Sequence, residues 1–193
     1  MGCIGYLHWK SAKGESLHLK TKGKEIIDQA ASIPKHEENH PFIEWANQNG
    51  YDVDKVPDNL LDQVDKTPLD VIMQTFGAVY FGTPYLFSQN FDAEQFEKDL
   101  MKIEKLDKKS FDGEKDSFSF LMKKLSRNGK LNDIKYINTK DNNDGSVEVR
   151  MQLVFNDKKI VKTKIKLKKV ETTDYTTYFI TTSIWDLIKR IEK

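Results

Sequence analysis

The chain of 193 residues contains a single cysteine, Cys3, so a disulfide framework is excluded. No apolar run approaches the ~18 residues that a bilayer-spanning helix needs. Charge of one sign is not in excess: the formal net charge is +1 and the isoelectric point about 7.7. The totals therefore do not describe a strongly basic nucleic-acid binder or a chain with an acidic tail. Arginine is scarce, confined to Arg127, Arg150 and Arg190, and the other basic residues are lysines. Bidentate guanidinium recognition is thus rare here, because lysine acts as a point charge. The four histidines, His8, His18, His36 and His40, all precede residue 41. General-base chemistry in the rest of the chain would have to use carboxylates, lysine or tyrosine. A Ser-His-Asp or Cys-His site is close to excluded on the same ground.

What is present describes one ordinary domain. A chain this long buries roughly 70% of its unfolded surface and folds without disulfides or metal. Charged residues make up 32% and aromatic residues 11%, and the aromatic share argues against disorder. Frequent lysine, asparagine and isoleucine fit an AT-rich genome. Residues 1–38 read as a flexible or peripheral arm with scattered apolar positions, apart from a short helix near Lys24–Ser32. Residues 39–193 read as a single domain.

Within that domain the apolar spacing is first helical. Pro41 suits the first turn of a helix that carries Phe42, Trp45 and Ala46 and stops at Gly50. Thr67-Pro68-Leu69-Asp70 is a helix start, with threonine as cap, proline in the first position and aspartate in the first turn. Leu69, Ile72, Met73, Phe76 and Tyr80 mark its apolar face, and Gly82-Thr83-Pro84 ends it. Asp92 caps a helix from Ala93 to about Leu106, and a shorter one follows from Ser117 to Arg127. The period then changes to two. A short alternation near Ile134 and Tyr136 is the first strand. Val147, Val149, Met151, Leu153 and Phe155 form the second, closed by the Asn156-Asp157-Lys158 hairpin turn. Val161, Thr163, Ile165 and Leu167 form the third, and Tyr175–Thr182 the fourth. Ile184, Leu187, Ile188 and Ile191 give a short C-terminal helix. Helices first and then strands mean α+β: N-terminal helices packed on a curved four-stranded antiparallel meander.

Several motifs invite chemistry. His36-Glu37-Glu38-Asn39-His40 matches H-E-x-x-H, in which one helical turn brings two zinc-binding histidines together around a catalytic glutamate. Pro34 and Pro41 bracket the motif and disfavour the helix it requires. A polar helix entry is the stronger reading; no metal site, no cofactor and no enzyme is expected. Lys162, Lys164, Lys166 and Lys168 share one face of a strand. They suit a solvated, aggregation-resistant face or an acidic protein partner or membrane surface. Nucleic acid is not expected, because no aromatic lies among them to stack on bases. Phe76, Tyr80, Tyr85 and Phe87 could wall a pocket or fill the core. Met1-Gly2-Cys3 leaves three readings open: an ordinary cytoplasmic start, a myristoylated start weakened by Tyr6, or a lipid-bearing Cys3 left from a bacterial lipoprotein signal.

Residues 67–185 resemble the cystatin-like or nuclear-transport-factor-2-like α+β domains of small Gram-positive lipoproteins. Three features carry the resemblance: Thr67-Pro68-Leu69-Asp70 opening one helix, Phe91-Asp92-Ala93-Glu94-Gln95-Phe96 opening the next, and the lysine-rich meander from Ile134 to Thr182. The resemblance implies a binding or scaffolding module. The enzymes of that class place an Asp-His pair in the pocket, and this body has no histidine. The expectation is a non-enzymatic protein-binding domain, lipid-anchored through Cys3 on the extracytoplasmic face of a bacterial membrane. One form of it is an immunity protein that neutralises a secreted toxin through the lysine stripe. The alternatives are a small-molecule or lipid carrier with an aromatic-lined pocket and, for location, the cytoplasm.

Overall fold

A computed structural model describes residues 14–31, 66–106, 114–173 and 175–193. The predicted Pro41–Gly50 helix, the H-E-x-x-H segment and Cys3 lie outside the described residues. Within them the order is β1 (Glu15–Ser16), α1 (Lys22–Ala31), α2 (Pro68–Phe81), α3 (Pro84–Ser88), α4 (Ala93–Leu106) and α5 (Glu114–Leu125). The strands β2 (Leu131–Asp141), β3 (Ser146–Phe155), β4 (Ile160–Glu171) and β5 (Thr176–Ile180) follow, and α6 (Ile184–Glu192) ends the chain.

The architecture is α+β, as expected, with one antiparallel sheet in the order β1-β2-β3-β4-β5. The sheet has five strands among the described residues and not the four expected. The added strand is β1, which pairs Glu15 with Tyr136 and Ser16 with Lys135. Two residues carry no readable alternation, so only the partner strand reveals it. Asp133 holds the turn that follows: its carboxylate accepts from Ser16 Oγ, and from Leu19 N at 2.9 Å. Leu19 is completely buried.

The start of α2 forms as its sequence dictates. Asp70 N donates to Thr67 Oγ1 at 3.2 Å and Thr67 N donates to Asp70 Oδ2 at 2.8 Å, so two otherwise orphaned donors are satisfied. Gly82, at φ 73°, closes the helix in the left-handed region. Every residue from Val71 to Val79 is buried. A helix buried all round needs cover all round. The sheet supplies one side, through β3 and β5, and α1, α3 and α5 supply the others. On the α1 side Gly23 and Gly77 meet: a Cβ on Gly77 would lie 3.3 Å from the Gly23 carbonyl oxygen.

Alternation fixes the faces of β3 and β4. Val147, Val149, Met151, Leu153 and Phe155 are buried; the first four pair with Leu167, Ile165, Thr163 and Val161 across the hairpin, and Phe155 pairs with Leu131 of β2. A one-residue slip would expose all of these, each burial of an aliphatic side chain being worth about 1.5–3 kcal/mol. The apolar faces of α2, α5 and α6 pack on this side in one core. In β2 the register shifts between Leu131 and Asp133 and again between Tyr136 and Asn138. These bulges explain why the alternation near Ile134 and Tyr136 is short.

Candidate functional site

The lysine stripe lies on the sheet face opposite the core. Lys162, Lys164, Lys166 and Lys168 are exposed, while Val161, Thr163, Ile165 and Leu167 between them are buried. The rigid core strand therefore sets the spacing of the cations. β3 adds Arg150, directly opposite Lys164. Two cations facing each other across a strand pair repel. Glu148 resolves the conflict: it accepts from Arg150 Nε at 2.9 Å and pairs with Lys164 Nζ at 3.0 Å. Burial pushes the Glu148 carboxyl up, but the bonds and charges of Lys164 and Arg150 outweigh it and hold the group below its ordinary value.

Lys166 and Lys168 are held more loosely. Lys166 Nζ meets Asp144 Oδ2 at 2.8 Å, with both side chains half exposed or more. That bond and the two Ser146 donors hold Asp144 far below the ordinary carboxylate range. Lys168 Nζ stands 3.9 Å from Asp92 Oδ2. The stripe is thus a ladder of cations with carboxylates interleaved. Around β4 the described residues place Arg150, Lys164, Lys166 and Lys168 against Glu148, Asp144 and Asp92. Glu148, Asp144 and Arg150 are not among the site residues expected from the sequence. A signal for two of them existed, because the hairpin turn centred on Asp157 sets Glu148 opposite Lys166 and Arg150 opposite Lys164.

The aromatic residues divide. Phe76 and Phe87 are completely buried in the main core, and Tyr80 packs against it half-buried. The side chain of Tyr85 lies outside the described residues. Phe87 meets Phe91 at a centroid distance of 5.0 Å and 61°, Phe91 lies 5.3 Å from Phe96, and Phe96 lies 5.2 Å from Phe118. These rings join α3, α4 and α5 as packing elements.

Two other polar features lie away from the stripe. Asp99 of α4 is completely buried and caps α6 from a distance: its carboxylate accepts from Ile184 N and Ser183 Oγ, both at 2.7 Å. Its backbone carbonyl accepts from Trp185 Nε1 at 2.9 Å. This is an anion at a helix N-terminus in a structural role. Lys66 Nζ donates to Gln74 Oε1 at 3.1 Å, and burial pulls the ammonium below its ordinary value against the opposing pull of Asp70. Among the described residues no group of three or more His, Cys, Asp and Glu side chains could hold a metal, and no helix is long and apolar enough to cross a membrane. His36, Glu37, His40 and Cys3 are outside them. No protein-family model, no curated protein and no solved structure matches the chain.

Proposed function

We propose that the chain is a non-enzymatic protein-binding domain whose working surface is the lysine face of β3 and β4. The observation that carries this reading is the exposed ladder of Lys162, Lys164, Lys166 and Lys168, set on a strand whose other face is core. A rigid surface with more cations than carboxylates steers and orients an acidic partner. The wider reading has the domain tethered through a lipid on Cys3 at the extracytoplasmic face of a bacterial membrane. There it would act as a cystatin-like module, in one form an immunity protein against a secreted toxin with an acidic surface.

The test uses the chain in its own cells. Cross-linked partners are captured with the wild type and with Lys164→Glu/Lys166→Glu/Lys168→Glu at matched expression. A partner held by the wild type and lost from the folded variant supports the reading. A partner set unchanged by the charge reversal overturns it. The intact mass of the peptide containing Cys3 tests the tether: a diacylglyceryl-bearing cysteine supports it, and an unmodified one removes it.

A further inference from the structure

The spacing of the lysine face says more about its partner than its charge does. Alternate residues of a strand stand about 7 Å apart on one face. Lys164, Lys166 and Lys168 are therefore a row of point charges with a repeat set by the backbone and held by the buried Ile165 and Leu167 between them. Each of the three can change partner at little cost. Lys168 is 3.9 Å from its carboxylate, beyond hydrogen-bond length. Lys166 and Asp144 form an exposed pair of the kind worth no more than about 1 kcal/mol. Lys164 shares Glu148 with Arg150, so its departure leaves Glu148 still paired.

Resting on the binding-face reading above, we propose that this face takes an extended acidic protein segment with carboxylates at alternate positions. Such a segment carries the same two-residue period as β4, so each carboxylate of one face meets one lysine. Consecutive carboxylates would point to opposite sides and half of them would be wasted. Nucleic acid fits less well. Arg150, on β3 beside the row, is already bound to Glu148, and β4 offers no ring between Lys162 and Lys168 for a base to stack on; Phe179 of β5, opposite Lys168, stands only at the end of the row.

The experiment titrates the full chain, at low salt, with two synthetic octapeptides of equal composition. One alternates threonine and aspartate; the other has four aspartates in a block and then four threonines. The alternating peptide is expected to bind about fivefold tighter or better, and to lose about tenfold in affinity on Lys164→Gln/Lys166→Gln/Lys168→Gln. The same charge removed at the exposed Lys20, Lys22 and Lys123 should change its affinity less than about twofold. Circular dichroism confirms that both variants fold. Equal binding of the two peptides, binding of neither, or equal losses in the two variants would overturn the proposal, as would tighter binding of an oligothymidine of the same charge. If charge reversal abolishes capture of the cellular partner while the two peptides bind alike, the binding face stands and the alternating partner falls.

Discussion

At the scale of the residue, the scarce arginines are placed where their geometry is used. Arg127 grips Asp157 with Nη1 at 2.9 and 2.7 Å from the two carboxylate oxygens, and Arg190 Nη1 donates to Thr163 Oγ1 at 3.1 Å and to the Lys164 carbonyl at 3.2 Å. Asp99 is the more consequential case, because it is buried. Asp99→Ala would strand the Ser183 hydroxyl and the Ile184 amide together, and a loss of about 1–3 kcal/mol in denaturant-derived stability is expected. Met101→Ala, on the exposed side of the same helix, should stay within about 0.5 kcal/mol. Glu148 makes a pH-dependent prediction. Its folded pKa is depressed, so its contribution is present above its ordinary value of 4.5 and is lost as pH falls through the folded value. Near neutrality Glu148→Gln should cost about 1 kcal/mol, since it leaves Arg150 facing Lys164. Unfolding curves of the two proteins should converge as the pH is lowered beneath 4.5.

At the scale of the element, α1 and α2 depend on the backbone approach at Gly23 and Gly77. Alanine at position 77 gains roughly 1 kcal/mol of helix propensity but sets a methyl 3.3 Å from the Gly23 carbonyl oxygen, so the two effects largely offset. Valine adds bulk with less of that gain. Gly77→Val should lower stability by about 1–3 kcal/mol in thermal unfolding, with Gly77→Ala much closer to the wild type. The capping box of α2 is independent of that contact. Thr67→Ala removes the acceptor for the Asp70 amide and should cost about 1 kcal/mol.

At the scale of the whole molecule, the N-terminal segment belongs to the stretch 1–38 that the sequence describes as a flexible or peripheral arm. Residues 14–31 supply β1, α1 and two buried side chains, Leu19 and Ile27. Leu19 is completely buried beside α1 and α2. Leu19→Ala is expected to lower the global unfolding free energy by about 2–5 kcal/mol, a loss seen by every spectroscopic probe of the sheet. A loss confined to α1 would mean that the segment opens on its own, as a locally unfolding unit. Its apolar residues were present in the sequence, but a two-residue strand has no period to read. Its membership of the sheet depends on a partner more than a hundred positions away, Tyr136.

Much of the molecule was nonetheless decided locally. Thr67 to Asp70 and Gly82 bound α2 by chemistry within the chain's nearest neighbours, and the five alternations of β3 and the four of β4 fix which side of each strand enters the core. The period of two also put the four lysines on one face, because a side chain's direction along a strand follows from its position alone. What those lysines meet is another matter. The pairing of Glu148 with both Arg150 and Lys164, of Asp144 with Lys166, and of Asp92 with Lys168 arises from hairpin register, turn shape and the docking of α4. The burial of Phe76 and Phe87 as core, and the remote cap of α6 by Asp99, likewise belong to the tertiary structure. Periodicity encodes which face a residue takes; the groups it meets there come from elements distant in sequence, and only the folded chain brings them within reach.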